Sequence, residues 1–245
     1  MSNPQQTRKS YFGPGFSQAS FERPTAHAKP PKSLLIVTEG QNTEPIYFKS
    51  LAAHWSLHPH VVTIEPGGEG IPKNLVDKAL AIQSDRLKLD KRGKLAFNQF
   101  ARFDETWIVF DTEHAARQGQ LNDGFKHAKS NGMKIAHSSP CFEFWLCLHY
   151  ALQARPMNNS KEATSLLEKV ARLRAGTYSK AAGPTRNLME QLILHAANAV
   201  RNARILCGQQ QGEPFPPNPS TSVHELIVSM HEALPNELKK RFPLP

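Results

Sequence analysis

Cysteine is scarce in this 245-residue chain, which has only Cys141, Cys147 and Cys207. So small and odd a number argues against a disulfide framework, and without a CxxC pair it gives no support to structural zinc of the usual kind. Long apolar runs are missing too. No stretch reaches the ~18–20 residues that a membrane-crossing helix needs. The first 31 residues lack the apolar core of a secretory leader, so a cytoplasmic protein is expected. Neither GxxxxGK[ST] nor GxGxxG occurs, and Gly67, Gly68 and Gly70 lack the Lys-Ser/Thr of a P-loop, which argues against an ATPase. The absence of GxSxG argues against a serine hydrolase.

Positive charge, by contrast, is in excess: 30 Lys and Arg stand against 21 Asp and Glu, a net charge of +9. Residues 1–32 hold a surplus of four and residues 151–245 a surplus of five, while residues 33–150 balance. Basic flanks around a neutral middle suit a polyanionic partner, because neutralising phosphates releases counterions. A generic basic protein would look the same by charge alone. Hydrophobic residues make up 39% of the chain, too many for a wholly disordered one.

Residues 1–31, rich in Pro, Ser, Gln and Gly and without periodicity, read as a disordered basic arm. Next, SLLIVT (33–38) is nearly all apolar, the mark of a strand buried on both faces of a parallel sheet. Glu44-Pro45 marks a helix start, with Pro45 suited to its first position. HVVTIE (60–65), TWIVF (106–110) and MKIAH (133–137) read as further strands. Residues 72–89 and 115–131 read as the helices between them, and Pro140 opens an apolar helix, CFEFWLCLHYA. That alternation predicts an α/β domain over 32–155 with a parallel sheet core flanked by helices. From about Met157 the strands are expected to stop, leaving a helical C-terminal region over 156–245.

Ligands of open α/β sheets bind beyond the carboxyl ends of the strands. Two of the strands run into acids there: SLLIVT into Glu39, and TWIVF into Asp111-Thr112-Glu113. Carboxylates massed at one edge repel one another unless a divalent cation sits among them, and Mg²⁺ suits such oxygen donors. A strand continuing through Asp111 and Glu113 would point both to one side. Acids that simply solvate loops at strand ends are the blander alternative. His114 could transfer a proton or cap the following helix. Glu143, alone in an apolar helix, could support a metal or cap the first turn. His54, His58 and His60 have a zinc-like spacing, but Pro59 interrupts any shared helical face.

LLIVTEGQNTEPIYFKSL, WIVFDTEH, SSPCFEFWLCLHY and NPSTSVHELI, in that order, resemble the RloB-like proteins over roughly residues 33–230. The resemblance implies a Toprim-type domain in which Glu39, Asp111 and Glu113 bind Mg²⁺ or Mn²⁺ for phosphodiester cleavage. Glu113 stands where Asp is usual. His114 and Glu143 join the expected catalytic set. The family setting implies a toxic anti-phage effector that cleaves nucleic acid, with RNA (tRNA included) favoured over DNA and a regulatory partner from the defence system. Oligomeric state is left open. The alternatives are a non-catalytic nucleic-acid-binding protein and a DNA-directed Toprim nuclease.

Lys169, Arg172, Arg174, Lys180 and Arg186 lie within eighteen residues, with Tyr178 among them. Because acids are scarce there, these groups are expected to lack internal partners and to meet phosphates, with Tyr178 stacking on an unpaired base. A solvated helix face is the alternative.

Overall fold

The computed structural model describes residues 31–67, 72–88, 102–113, 118–174 and 176–245. Its strands are β1 (Leu34–Thr38), β2 (Val62–Pro66), β3 (Glu105–Asp111), β4 (Lys134–Ser139) and β5 (Ser220–Thr221). They form one sheet in the order β2-β1-β3-β4-β5, parallel except for β5, which pairs antiparallel with β4. All five residues of β1 are buried, as its unbroken apolar run requires. Its alternate side chains go to opposite layers. Leu34 and Ile36 join Trp107 and Val109 of β3 on one face, and Leu35 and Val37 join Ile108 and Phe110 on the other.

Helix α1 (Thr43–His54) covers the first face; α2 (Pro72–Arg86) and α3 (Gln118–Ser130) cover the second. The chain therefore moves outward from β1 to β2, then returns past β1 to β3. Strand order reverses between β1 and β3, and such a reversal opens a crevice at their carboxyl ends. There the Glu39 N–H donates to the Val109 carbonyl at 2.9 Å, and the Gly67 N–H donates to the Thr38 carbonyl at 2.6 Å, fixing the end of β1 on both sides.

β4 is followed by α4 (Phe142–Cys147), and the helical C-terminal region then comprises α5 (Ser160–Val170), α6 (Ala182–Leu192), α7 (Ala196–Gln209), α8 (Val223–Glu232) and α9 (Asn236–Arg241). Its apolar residues extend the α1 side of the core, where Trp145 is fully buried and meets Tyr47 edge-on at 6.2 Å between ring centroids. Three expectations need correction. Strands do not stop at Met157: β5 adds to the sheet edge, with Ser138 opposite Thr221. Within that helical region the apolar pattern NLMEQLILHAANAVRNARIL (187–206), expected as one amphipathic helix, is broken by a 3₁₀ turn at Ile193–His195. The helix after Pro140 is short, ending at Cys147. Residues 1–30, and with them nearly all of the basic arm, lie outside the described residues, as do Gly68 and Gly70.

Candidate active site

Adjacent β1 and β3 deliver two acids to the crevice. Thr38 lies opposite Val109 in the register, so Glu39 leaves β1 beside the end of β3. The Asp111 N–H donates to Glu39 Oε2 at 3.1 Å, joining the two strand ends through a carboxylate. Glu44, in the first turn of α1, folds back so that its Oε1 accepts the Gly40 N–H at 3.2 Å. A Cβ on Gly40 would fall 2.0 Å from Glu44 Oε2, so glycine is needed for that approach. The first turn of α4 adds Glu143, whose side chain is wholly buried.

These acids share one electrostatic environment. Burial pushes Asp111 well above the usual carboxylate range, and the charges of Glu44, Glu143 and Glu39 push it further. Glu44 is raised to about 7, mainly by burial and then by Glu143, against the opposing pull of backbone N–H groups and Lys180. Burial is also the largest influence on Glu143, but the charge and hydrogen bond of Lys180, with hydrogen bonds from Cys141 and the backbone, together hold Glu143 below its ordinary value. Lys180 Nζ lies 2.9 Å from Glu143 Oε1, and the Tyr178 hydroxyl donates to the same oxygen at 2.9 Å. The other oxygen, Glu143 Oε2, is buried without a hydrogen-bond partner. Beside them the Cys141 thiol is pushed far up by burial, Glu143 and Asp111, so it stays protonated and is no nucleophile. The segment carrying Tyr178 and Lys180 is anchored by buried Glu168, which accepts the Gly176 N–H at 2.9 Å and the Tyr178 N–H at 2.8 Å.

A family model described as RloB-like protein matches residues 34–230. The chain belongs to that family. No curated protein and no solved structure matches it. The RloB-like region begins at the first residue of β1 and ends inside α8, so it contains every residue of the acidic cluster together with Tyr178 and Lys180.

Within this RloB-like region the predicted residues part company. Glu39 and Asp111 are joined by the hydrogen bond between the strand ends. Glu113 does not join them: its Oε1 accepts the Ser160 N–H at 2.8 Å, at the start of α5. β3 ends at Asp111, so the alternation that would have aligned Glu113 with Asp111 is lost, and a helix N-terminus attracts its carboxylate instead. Glu143 does belong with the cluster. His114 lies outside the described residues. Tyr178 and Lys180 are not partnerless phosphate ligands, since both end on Glu143. Lys169, Arg172, Arg174 and Arg186 are exposed. Of the three histidines with zinc-like spacing, His58 and His60 stack on each other while His54 packs against Phe242.

Sequence reasoning missed Glu44 by treating it only as part of a helix start. Its signal was a spacing: Glu39 and Glu44 bracket the short β1–α1 connection, which returns the helix N-terminus to the strand end. Among the described residues no group of three or more His, Cys, Asp or Glu side chains is arranged to hold a metal ion. Mg²⁺, however, commonly takes one or two carboxylates and completes its shell with water and substrate phosphate. Glu39 and Asp111 supply such hard oxygen donors, and the crowding of negative charge on half-buried Asp111 is what a bound cation would relieve. The residues present fit a two-carboxylate site.

Proposed function

We propose that this chain is a Mg²⁺- or Mn²⁺-dependent Toprim-type nuclease that cleaves phosphodiester bonds, with RNA, tRNA included, favoured over DNA. The reading is carried by the meeting of Glu39 and Asp111 where strand order reverses, with Glu44 and Glu143 crowding Asp111. Glu39 and Asp111 would hold the cation, which supplies positive charge against the charge developing on the phosphate oxygens. Tyr178 holds Glu143 and Glu143 positions Lys180, whose ammonium stays charged and would meet the substrate backbone. The exposed Lys169, Arg172, Arg174 and Arg186 extend that basic surface. The family resemblance supports a toxic defence effector, held in check by a partner protein.

One observation favours a second reading. Lys180 already neutralises Glu143, as an acid cluster kept only for structure would require. One assay separates the two. Labelled single-stranded RNA, tRNA and duplex DNA are incubated with the protein in Mg²⁺, Mn²⁺ or EDTA, beside the Glu39→Gln and Asp111→Asn variants. Cleavage that needs the divalent cation and falls to background in both variants supports the nuclease. Folded wild-type protein that binds RNA yet cuts nothing under any of these conditions leaves the non-catalytic reading standing.

A further inference from the structure

A cavity of about 410 Å³ lies past the β4–β5 edge of the sheet and shares no residue with the acidic cluster. That size is within the roughly 300–1,000 Å³ of small-molecule sites. Its inner wall is polar: His137 Nδ1 lies 2.9 Å from Ser222 Oγ and its Nε2 lies 3.3 Å from Ser220 Oγ, while the buried Nδ1 of His224 has no hydrogen-bond partner among the described residues. Burial lowers His137 to about 4 and also lowers His224, so both rings are neutral near pH 7.

The outer wall is aromatic. Phe215 meets Phe125 edge-on at 5.0 Å between centroids, yet keeps 54% of its surface exposed. The lining also carries two exposed carboxylates, Glu213 and Glu225, and among the described residues no Lys or Arg lines the cavity. Arg204, whose charge reaches His224, is tied to the carbonyl oxygen of Pro245. On a chain of net charge +9 this is a local reversal of sign. Phosphate-bearing ligands would meet two negative groups on the lining, with Arg204 acting only from behind His224, whereas a cation would meet both carboxylates and an open aromatic face.

We propose that this cavity binds a small organic cation with an aromatic body, such as an arylalkylamine, whose ring packs on Phe215 and whose ammonium lies between Glu213 and Glu225. The assignment is independent of the chemistry given to the acidic cluster.

Cys207 supplies a built-in reporter. It lines the cavity and is exposed, whereas Cys141 and Cys147 are buried with their thiols pushed far up. Alkylation of the full-length protein by iodoacetamide, followed by intact mass and peptide mapping, therefore reads Cys207. Tryptamine is expected to slow this reaction saturably, while indole-3-acetate at equal concentration leaves it unchanged. A Glu213→Gln, Glu225→Gln double variant, altered only at exposed positions, should lose no more than a few degrees in melting temperature, from the charge that Glu225 places in the first turn of α8, and weaken tryptamine protection roughly tenfold. The proposal is overturned by an absence of protection up to about 10 mM tryptamine. Equal protection by indole-3-acetate, or undiminished protection in the double variant, overturns it as well.

Discussion

Replacing Lys180 by methionine takes away the cation that rests on Glu143 and leaves a wholly buried carboxylate without it. Breaking an ion pair with both charges buried costs about 3–5 kcal/mol. Here the Glu143 side chain is 0% exposed but that of Lys180 is 59% exposed, so water already screens one end of the pair. The Tyr178 hydroxyl also stays on Glu143 Oε1. A discounted loss of about 2 kcal/mol follows, or about 4–8 °C in melting temperature for a chain of this length. The sign with pH is fixed by the carboxylate. Without Lys180, burial lifts Glu143 above its ordinary 4.5, so the penalty is absent below that value and grows as pH rises.

Urea denaturation of wild type, Lys180→Met, Glu143→Gln and the double variant, at pH 5 and pH 8 without divalent cation, measures this directly. The two substitutions should couple by about 1–2 kcal/mol at pH 8, because glutamine removes the charge that Lys180 neutralises. At pH 5 the loss from Lys180→Met should be less than half as large. Coupling within about 0.3 kcal/mol of zero, or a loss equal at both pH values, would show that Lys180 is not the counter-ion of Glu143.

Glu113→Gln should retain cleavage and lose only about 0.5–1 kcal/mol by chemical denaturation, since the Ser160 N–H keeps an acceptor but α5 loses a charge at its start. If its cleavage falls as far as that of Asp111→Asn, Glu113 belongs with the metal-holding pair after all. Glu44, raised to about 7 from 4.5, penalises the folded state increasingly as pH rises between those values. Glu44→Gln, which preserves the acceptor for the Gly40 N–H, should therefore stabilise the metal-free protein by about 2–3 kcal/mol at pH 8 and not at pH 4; equal melting temperatures at pH 8 contradict this. Buried His149, lowered to about 3 and 3.0 Å from the Tyr47 hydroxyl, acts in the opposite direction. Its contribution is intact above pH 6.5 and falls by about 2 kcal/mol on acidification to pH 5, so His149→Phe should flatten the acid side of the stability profile by that amount. Finally, Arg172→Ala with Arg174→Ala should weaken RNA binding and lower the slope of log affinity against log salt by roughly one to two units; an unchanged slope moves the interface elsewhere.

How much could be read from the sequence depended on the range of the interactions involved. β1 and β3 were legible because strands buried on both faces must be continuously apolar, and the acid that ends such a run marks the sheet edge. Glu39 and Asp111 followed from that. β5 was not legible: Ser220 and Thr221 are two polar residues in a proline-rich stretch, held by pairing with β4 rather than by any pattern of their own. Glu113 was misplaced because strand alternation holds only while the strand lasts. Tyr178 and Lys180 were read as open to solvent because acids are scarce near them in sequence. Their partner is Glu143, 35 residues from Tyr178, and no local spacing records that contact.

That contact also bears on how the two parts of the chain depend on each other. The sheet and α1 contribute Glu39, Glu44 and Asp111, but the helical region supplies the groups that make Glu143 tolerable in the same place. Glu168 in α5 fixes the backbone at Gly176 and Tyr178, and this segment in turn brings a hydroxyl and an ammonium to one carboxylate oxygen. Without it, Glu143 would be a buried charge beside a raised Asp111, and the cluster would have to take up protons or open to water. The strand ends alone therefore do not make the site. Its charge balance is set by a segment more than thirty residues beyond the last parallel strand, β4, and the family match reaches past both to Met230.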